Sequence, residues 1–382
     1  MKNKLKQSSL INGTNGFHEL FELMVDKRAS DLHLWVPSPP VLRIDGVLTP
    51  LDEFHPVNPK DVETILDSIT TPEQKSAFLR QLELDFAYSI HGLARLRVNA
   101  MRQRGTISLA FRFVPFEVPS IDELGLPQIC KKLALKPRGL ILVTGPTGCG
   151  KSTTLAAMIN HLNENDARTI ISIEDPIEYL HSNKKCLIAQ RELGDDTMSF
   201  ASALVHALRH DPDVLIVGEM RDADTMSTAI TAAETGHLVL GTLHTVDAVQ
   251  SIHRIVDMFP HAEQQQIIIQ LSQVIEAILS QTLLPRIGGG RIAAFEVMIA
   301  NGAIRKLIRE QKVFELPRNM EFSTKEEGMH TLDQALAELV HCGLVSAEDA
   351  MMKSSNPAKL NQSLQLQGDH SSSESLNDCT AQ

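Results

Sequence analysis

Aromatic side chains are scarce in this chain of 382 residues, at 4%, with one Trp and two Tyr. Tracks for single-stranded nucleic acid stack bases on rings set among cations, so such a track is not expected. Positive charge is also short. Lys+Arg 36 against Asp+Glu 47 leaves a net −11. A nucleic-acid-coating protein needs clustered cations, although a local basic channel stays possible. Cysteines number five (Cys130, Cys149, Cys186, Cys342, Cys379), an odd count with no CxxC pair. A disulfide scaffold and a tetracysteine zinc site are both excluded, and a reduced, cytoplasmic protein is expected. Long apolar runs are missing too. Gly139–Val143 and Val214–Val217 are far too short to span a bilayer, and no apolar stretch follows the basic start. Work at a membrane would require recruitment there.

What remains is an ordinary globular balance, 43% hydrophobic and 22% charged. A chain this long buries a core without staples. Residues 1–16 read as a flexible tail. A first α+β domain spans 17–118: a helix over 17–28, strands at SDLHLWV and VLRIDGVL, helices over Asn58–Ile69 and Pro72–Leu82, then strands Glu83–Ile90, Ala94–Met101 and Ile107–Val114. Residues 119–137 read as a linker with a short helix. From 138 to 353, buried strands alternate with helices, the pattern of a parallel sheet covered on both faces. Helices dominate its C-terminal part, including one over His261–Gln281, with a strand at Arg291–Ile299. Residues 354–382 are Ser-, Gln- and Asn-rich and read as a disordered tail.

Gly145-Pro146-Thr147-Gly148-Cys149-Gly150-Lys151-Ser152, followed by Thr153, matches GxxxxGK[ST]. It follows an apolar strand and opens a helix, which is the context a phosphate-binding loop requires. The glycines let successive backbone N–H groups face one anion, and the helix start adds roughly half a positive charge. Lys151 should reach the β- and γ-phosphates, and the Ser152 hydroxyl should ligate Mg²⁺, so ATP and Mg²⁺ are the expected ligands. Cys149 reads as a small filler rather than a redox switch.

The strand Val214–Val217 leads to Glu219, which suits the polarising of an attacking water. The strand ending at Glu174-Asp175 places both carboxylates at the edge where parallel sheets bind ligands. There Glu174 and Asp175 could hold Mg²⁺ through water, while Glu178 reads equally as a solvated loop charge. His237 and His244 bracket another strand. They are seven positions apart, ~23 Å if extended, so they cannot share one ion unless the strand folds back. Phosphate sensing and hydrogen bonding to the Glu219 strand fit better, beside the plainer reading of histidines at a sheet edge.

Together these segments resemble the hexameric ATPases of the secretion and type IV pilus family, over about residues 17–353. Leu208–Asp222 (LRHDPDVLIVGEMRD) is similar to the family signature, and an Asp box (Ile170–Tyr179) and a His box (Thr235–Thr245) accompany it. The short N-terminal region opening with SDLHL, and Ala303–Glu310 (AIRKLIRE), resemble the pilus-retraction branch. There Lys306 stands where an Asn is usual.

The resemblance implies a PAS-like N-terminal domain, a RecA-like P-loop NTPase domain with helical C-terminal region, and a homohexamer. It also implies arginines of the first domain that act on phosphates. Arg97 and Arg112 are the candidates, with Arg95 on the same strand face as Arg97; pairing with carboxylates on their own sheet is the alternative. The implied activity is ATP hydrolysis powering pilus retraction and twitching. Its implied partners are an inner-membrane platform protein and a paralogous retraction ATPase, at the cytoplasmic face of that membrane, with no nucleic acid. Two other readings stay open: an extension or secretion ATPase, and an ATP-binding ring subunit that couples to another motor.

Overall fold

The computed structural model describes residues 17–44, 46–90, 93–114, 118–324 and 327–368. Most of the two expected tails, 1–16 and 369–382, therefore lies outside the described residues. The chain divides into two compact units, Met1–Glu117 and Val118–Gln382.

The first unit runs α1 (His18–Asp26), β1 (Asp31–Leu34), β2 (Val41–Ile44), β3 (Val47–Pro50), α2 (Pro59–Ile69), α3 (Pro72–Gln81), β4 (Glu83–Ile90), β5 (Ala94–Gln103) and β6 (Thr106–Val114). Its strands form an antiparallel sheet in the order β3-β2-β1-β6-β5-β4. The run VLRIDGVL, expected as one strand, folds back as the β2–β3 hairpin. Gly46 takes a left-handed φ of +83°, which glycine adopts without steric cost. Helices α2 and α3 start on capping boxes, Asn58 with Asp61 and Thr71 with Gln74, each followed by Pro. Alternation sets the two faces of the sheet. One row, Leu42–Leu32–Phe111–Val98–Phe86, enters the core. The next, Arg43–Asp31–Arg112–Arg97, lies on the opposite face.

The second unit begins with α4 (Ile129–Ala134), β7 (Gly139–Thr144), α5 (Lys151–Asn165), β8 (Thr169–Glu174), β9 (Leu187–Glu192), α6 (Phe200–Ala207) and β10 (Val214–Val217). It continues through α7 (Ala223–Glu234), β11 (Leu238–Leu243), α8 (Ala248–Asp257), α9 (His261–Val274), β12 (Ile275–Pro285) and β13 (Arg291–Ile299). Helices α10 (Gly302–Arg309), α11 (Leu316–Glu321), α12 (Leu332–His341), α13 (Ala347–Lys353) and α14 (Pro357–Gly368) close it. The sheet order is β13-β12-β7-β11-β10-β8-β9, parallel except for β13. Its strands are apolar on both faces. Leu140 and Leu142 pack with α7 and α9, whereas Ile141 and Val143 pack with α4 and α5.

Three expectations differ here. The helix expected over His261–Gln281 stops at Val274, and β12 takes its second half. Fully buried β-strands lack polar alternation, so IEAILSQTLL reads as helix or strand alike. The segment read as a linker, 119–137, supplies Ile121, Leu126, Cys130 and Leu133 to the core of the second unit. Part of the segment read as a disordered tail forms α14. Leu360 is buried in a small C-terminal cluster, and Asp333 accepts from the Ser355 and Asn356 backbone just ahead of the helix. No helix among the described residues is long and apolar enough to cross a membrane.

Candidate active site

The phosphate loop leaves the carboxyl end of β7 and enters α5 at Lys151. Gly145, Gly148 and Gly150 all take positive φ, at +142°, +79° and +94°. Pro146, Thr147 and Gly148 are exposed at the loop crest. The Lys151 side chain is folded inward and 9% exposed. Its Nζ donates to the carbonyls of Gly145 at 2.8 Å and Pro146 at 3.2 Å. Thr153 meets the Tyr179 hydroxyl at 3.1 Å. Cys149 is buried. Burial pushes its thiol up against the pull of Lys151, which suits the filler reading.

Glu219 follows β10 at the same sheet edge. One of its oxygens lies 3.0 Å from His244 Nε2, and His244 Nδ1 lies 3.5 Å from Lys151 Nζ. A continuous polar chain thus joins the loop lysine to the strand-end carboxylate. Arg221 grips Glu219 with two groups, Nη2 to Oε2 and Nε to Oε1, both at 2.6 Å. Burial pushes the Glu219 carboxyl up, but the hydrogen bonds and charges of Arg221 and His244 outweigh it and hold the group below its ordinary value.

Glu174 ends β8 and is half-buried. Ser172 donates to it at 2.7 Å and Gln190 at 3.0 Å. Burial nevertheless raises its pKa, against those donors. Ser152, Glu174, Glu178, Tyr179, Gly218 and Thr242 line one small cavity of about 30 Å³. Asp175 follows Glu174, and its charge reaches Arg221. Among the described residues no cluster of three or more His, Cys, Asp or Glu could hold a metal. Mg²⁺ on a nucleotide needs no such cluster, because it keeps waters and takes one or two protein oxygens plus phosphate. A hydroxyl (Ser152) and carboxylates (Glu174, Asp175) at one strand edge fit that requirement.

The remaining predicted residues lie elsewhere. His237 stands at the amino end of β11, beside Gly139 at the start of β7, and so on the edge opposite the phosphate loop. Its Nδ1 lies 2.9 Å from the Ala232 carbonyl. The structure does not bring it to the cradle of its own chain, because the full length of β11 intervenes. In the first unit, Arg112 bonds Asp31 at 2.9 Å, the same-sheet carboxylate pairing that sequence left open. Arg97 is exposed, directly across from Arg112, and Arg95 donates to Ser89. In the Ala303–Glu310 motif, Arg305 ties α10 to the Gln273 carbonyl and Glu276, whereas Lys306 points outward near Glu310.

Sequence reasoning missed Gln281, Arg221 and Asp31 as site or support residues. Arg221 could have been found from its place two residues past Glu219. Gln281 sits on the strand mistaken for helix.

Residues 89–351 match the family described as Type II/IV secretion system protein. The chain belongs to that family. It is 46% identical to the type IV pilus retraction ATPase PilT of Pseudomonas aeruginosa, over 89% of this chain and 98% of that one. To the type IV pilus ATPase PilU of the same organism it is 40% identical, over 95% of each chain. A crystal structure of the pilus retraction motor PilT with bound ADP superposes with a TM-score of 0.85 at 46% identity, covering 90% of this chain and 98% of that one. The α+β unit followed by a family ATPase unit agrees with the architecture expected from sequence, and the family places the chain among ATPases.

Proposed function

We propose that this chain is an ATP-hydrolysing motor that powers type IV pilus retraction, and with it pilus disassembly and twitching. The observation that carries the reading is the Lys151–His244–Glu219 chain beside a glycine loop that opens α5. Lys151 and the backbone N–H groups of the loop hold the phosphates of ATP. Ser152 and, through water, Asp175 would hold Mg²⁺, which would supply positive charge to the phosphate oxygens. Glu219 orients a water for in-line attack and accepts its proton. Arg221 occupies both Glu219 oxygens, so it swings aside for that step, and its exposed side chain has room to do so. His244 relays the state of the phosphate end to Glu219. Arg97 and Arg112 are the cations that the first unit can offer to a phosphate.

The similarity to PilT over nearly its whole length supports the retraction role. The working form is a homohexamer at the cytoplasmic face of the inner membrane, acting on a platform protein and reaching the membrane through it. Deleting the gene tests the reading directly. Retraction predicts abundant surface pili and no twitching; loss of pili would favour an extension or secretion motor. A second reading is a ring subunit coupled to another motor. Failure of the purified chain to turn over ATP alone would select it.

A further inference from the structure

Gln281 lies on β12 and is 3% exposed. Its amide is fixed at both ends. Nε2 donates to the Cys149 carbonyl at 2.5 Å, and Oε1 accepts from the Thr154 hydroxyl at 2.8 Å. One side chain, far away in sequence, therefore holds the last turn of the phosphate loop and the first turn of α5. Its neighbour Ser280 accepts from Thr144 at 2.8 Å, where β7 gives way to the loop. The loop fits closely against this strand. A Cβ on Gly145 would stand 2.3 Å from the Gln281 carbonyl oxygen, and one on Gly150 3.1 Å from Gln281 Nε2.

The contact has a directional consequence. A trans peptide is planar, with its carbonyl and N–H on opposite sides. Anchoring the Cys149 oxygen to β12 aims the Gly150 N–H away from β12. Backbone N–H groups of such a loop are the groups that meet phosphate. The Cys149 carbonyl can only accept, so it fixes the Gln281 amide with its nitrogen toward the loop, and the Thr154 hydroxyl then donates to the amide oxygen.

We propose that Gln281 is a positioning residue for the nucleotide: it sets the orientation of the Gly150 N–H and ties the phosphate cradle to β12, without touching the nucleotide itself. The proposal rests on the nucleotide reading of the cradle. It predicts an effect on nucleotide affinity that outweighs the effect on the chemical step, because the Lys151–His244–Glu219 chain does not include Gln281.

The test uses the purified full-length chain and two variants. Gln281→Glu, assayed at alkaline pH so that the buried carboxyl is ionised, keeps the acceptor for Thr154 and loses the donor. Gln281→Leu loses both, and Thr154→Val serves as a third variant should Gln281→Leu fold poorly. The readouts are KM and kcat for ATP, the Kd of ADP, and the melting temperature. Expected for both Gln281 variants is an ADP Kd and an ATP KM raised at least about tenfold, equivalent to ~1.4 kcal/mol, with kcat changed much less. Thr154→Val should move the same quantities in the same direction by less. A folded Gln281→Glu with wild-type Kd and KM overturns the proposal, as does a loss confined to kcat. Absence of nucleotide binding by the wild-type chain would instead sink the reading of the cradle, so the two failures are distinct.

Discussion

Replacing Glu296 by Gln tests how the second unit tolerates a buried carboxyl. Glu296 sits on β13, 8% exposed. It accepts the Ala248 N–H at the start of α8 at 2.8 Å, and the Leu332 N–H opens α12 beside it. Burial pushes its pKa up to about 7, with the charges of Asp247 and Asp333 adding to the rise and the two N–H groups opposing it. An unfolded chain ionises a Glu near its ordinary value of about 4.5. Between the two values the folded chain keeps a proton that the unfolded chain has lost. Stability therefore falls as pH rises through that window and is level on either side. A gap of about 2.5 units at ~1.36 kcal/mol per unit gives a loss of about 3 kcal/mol. Gln resembles the protonated acid and does not titrate. Glu296→Gln should match the wild type near pH 4 and exceed it by about 3 kcal/mol near pH 8. Urea unfolding of both proteins at a series of pH values, followed by circular dichroism, reads the difference. Curves that stay parallel across the series would refute the reasoning.

Two further outcomes follow from the cradle. Removing Arg221 as Arg221→Ala takes away the strongest opposition to the burial of Glu219, so the acidic limb of the kcat–pH profile should move to higher pH; an unmoved limb would count against Glu219 as the titrating base. Gly145→Ala puts a methyl 2.3 Å from the Gln281 carbonyl at a φ of +142°, and should lower stability by about 1–3 kcal/mol in a melting experiment while weakening ADP binding.

Much of this site was legible because its chemistry is local in sequence. The phosphate loop is one contiguous segment whose glycines need positive φ, and its strand and helix flank it directly. Glu219 and Glu174 were legible because parallel strands deliver their last residues to one edge. The same rule put His244 there, whereas His237, also expected to sense phosphate, stands at the other end of β11. The contacts that span the chain were not legible. Gln281 reaches Cys149 from β12, and nothing in IEAILSQTLL separates a buried strand from a helix. The Asp31–Arg112 pair depends on the register between β1 and β6, which single strands do not reveal. The α14 helix was hidden by a polar composition, since its hold on the unit rests on Leu360 and the Asp333 contacts.

The central claim is that Glu219 acts on a nucleotide held by Lys151. The most direct measurement is ATP turnover by the purified Glu219→Gln chain, with its ATP affinity measured alongside. The account predicts near wild-type binding and a kcat lowered at least about a hundredfold, the usual contribution of a positioned base. Binding intact and turnover undiminished would contradict it.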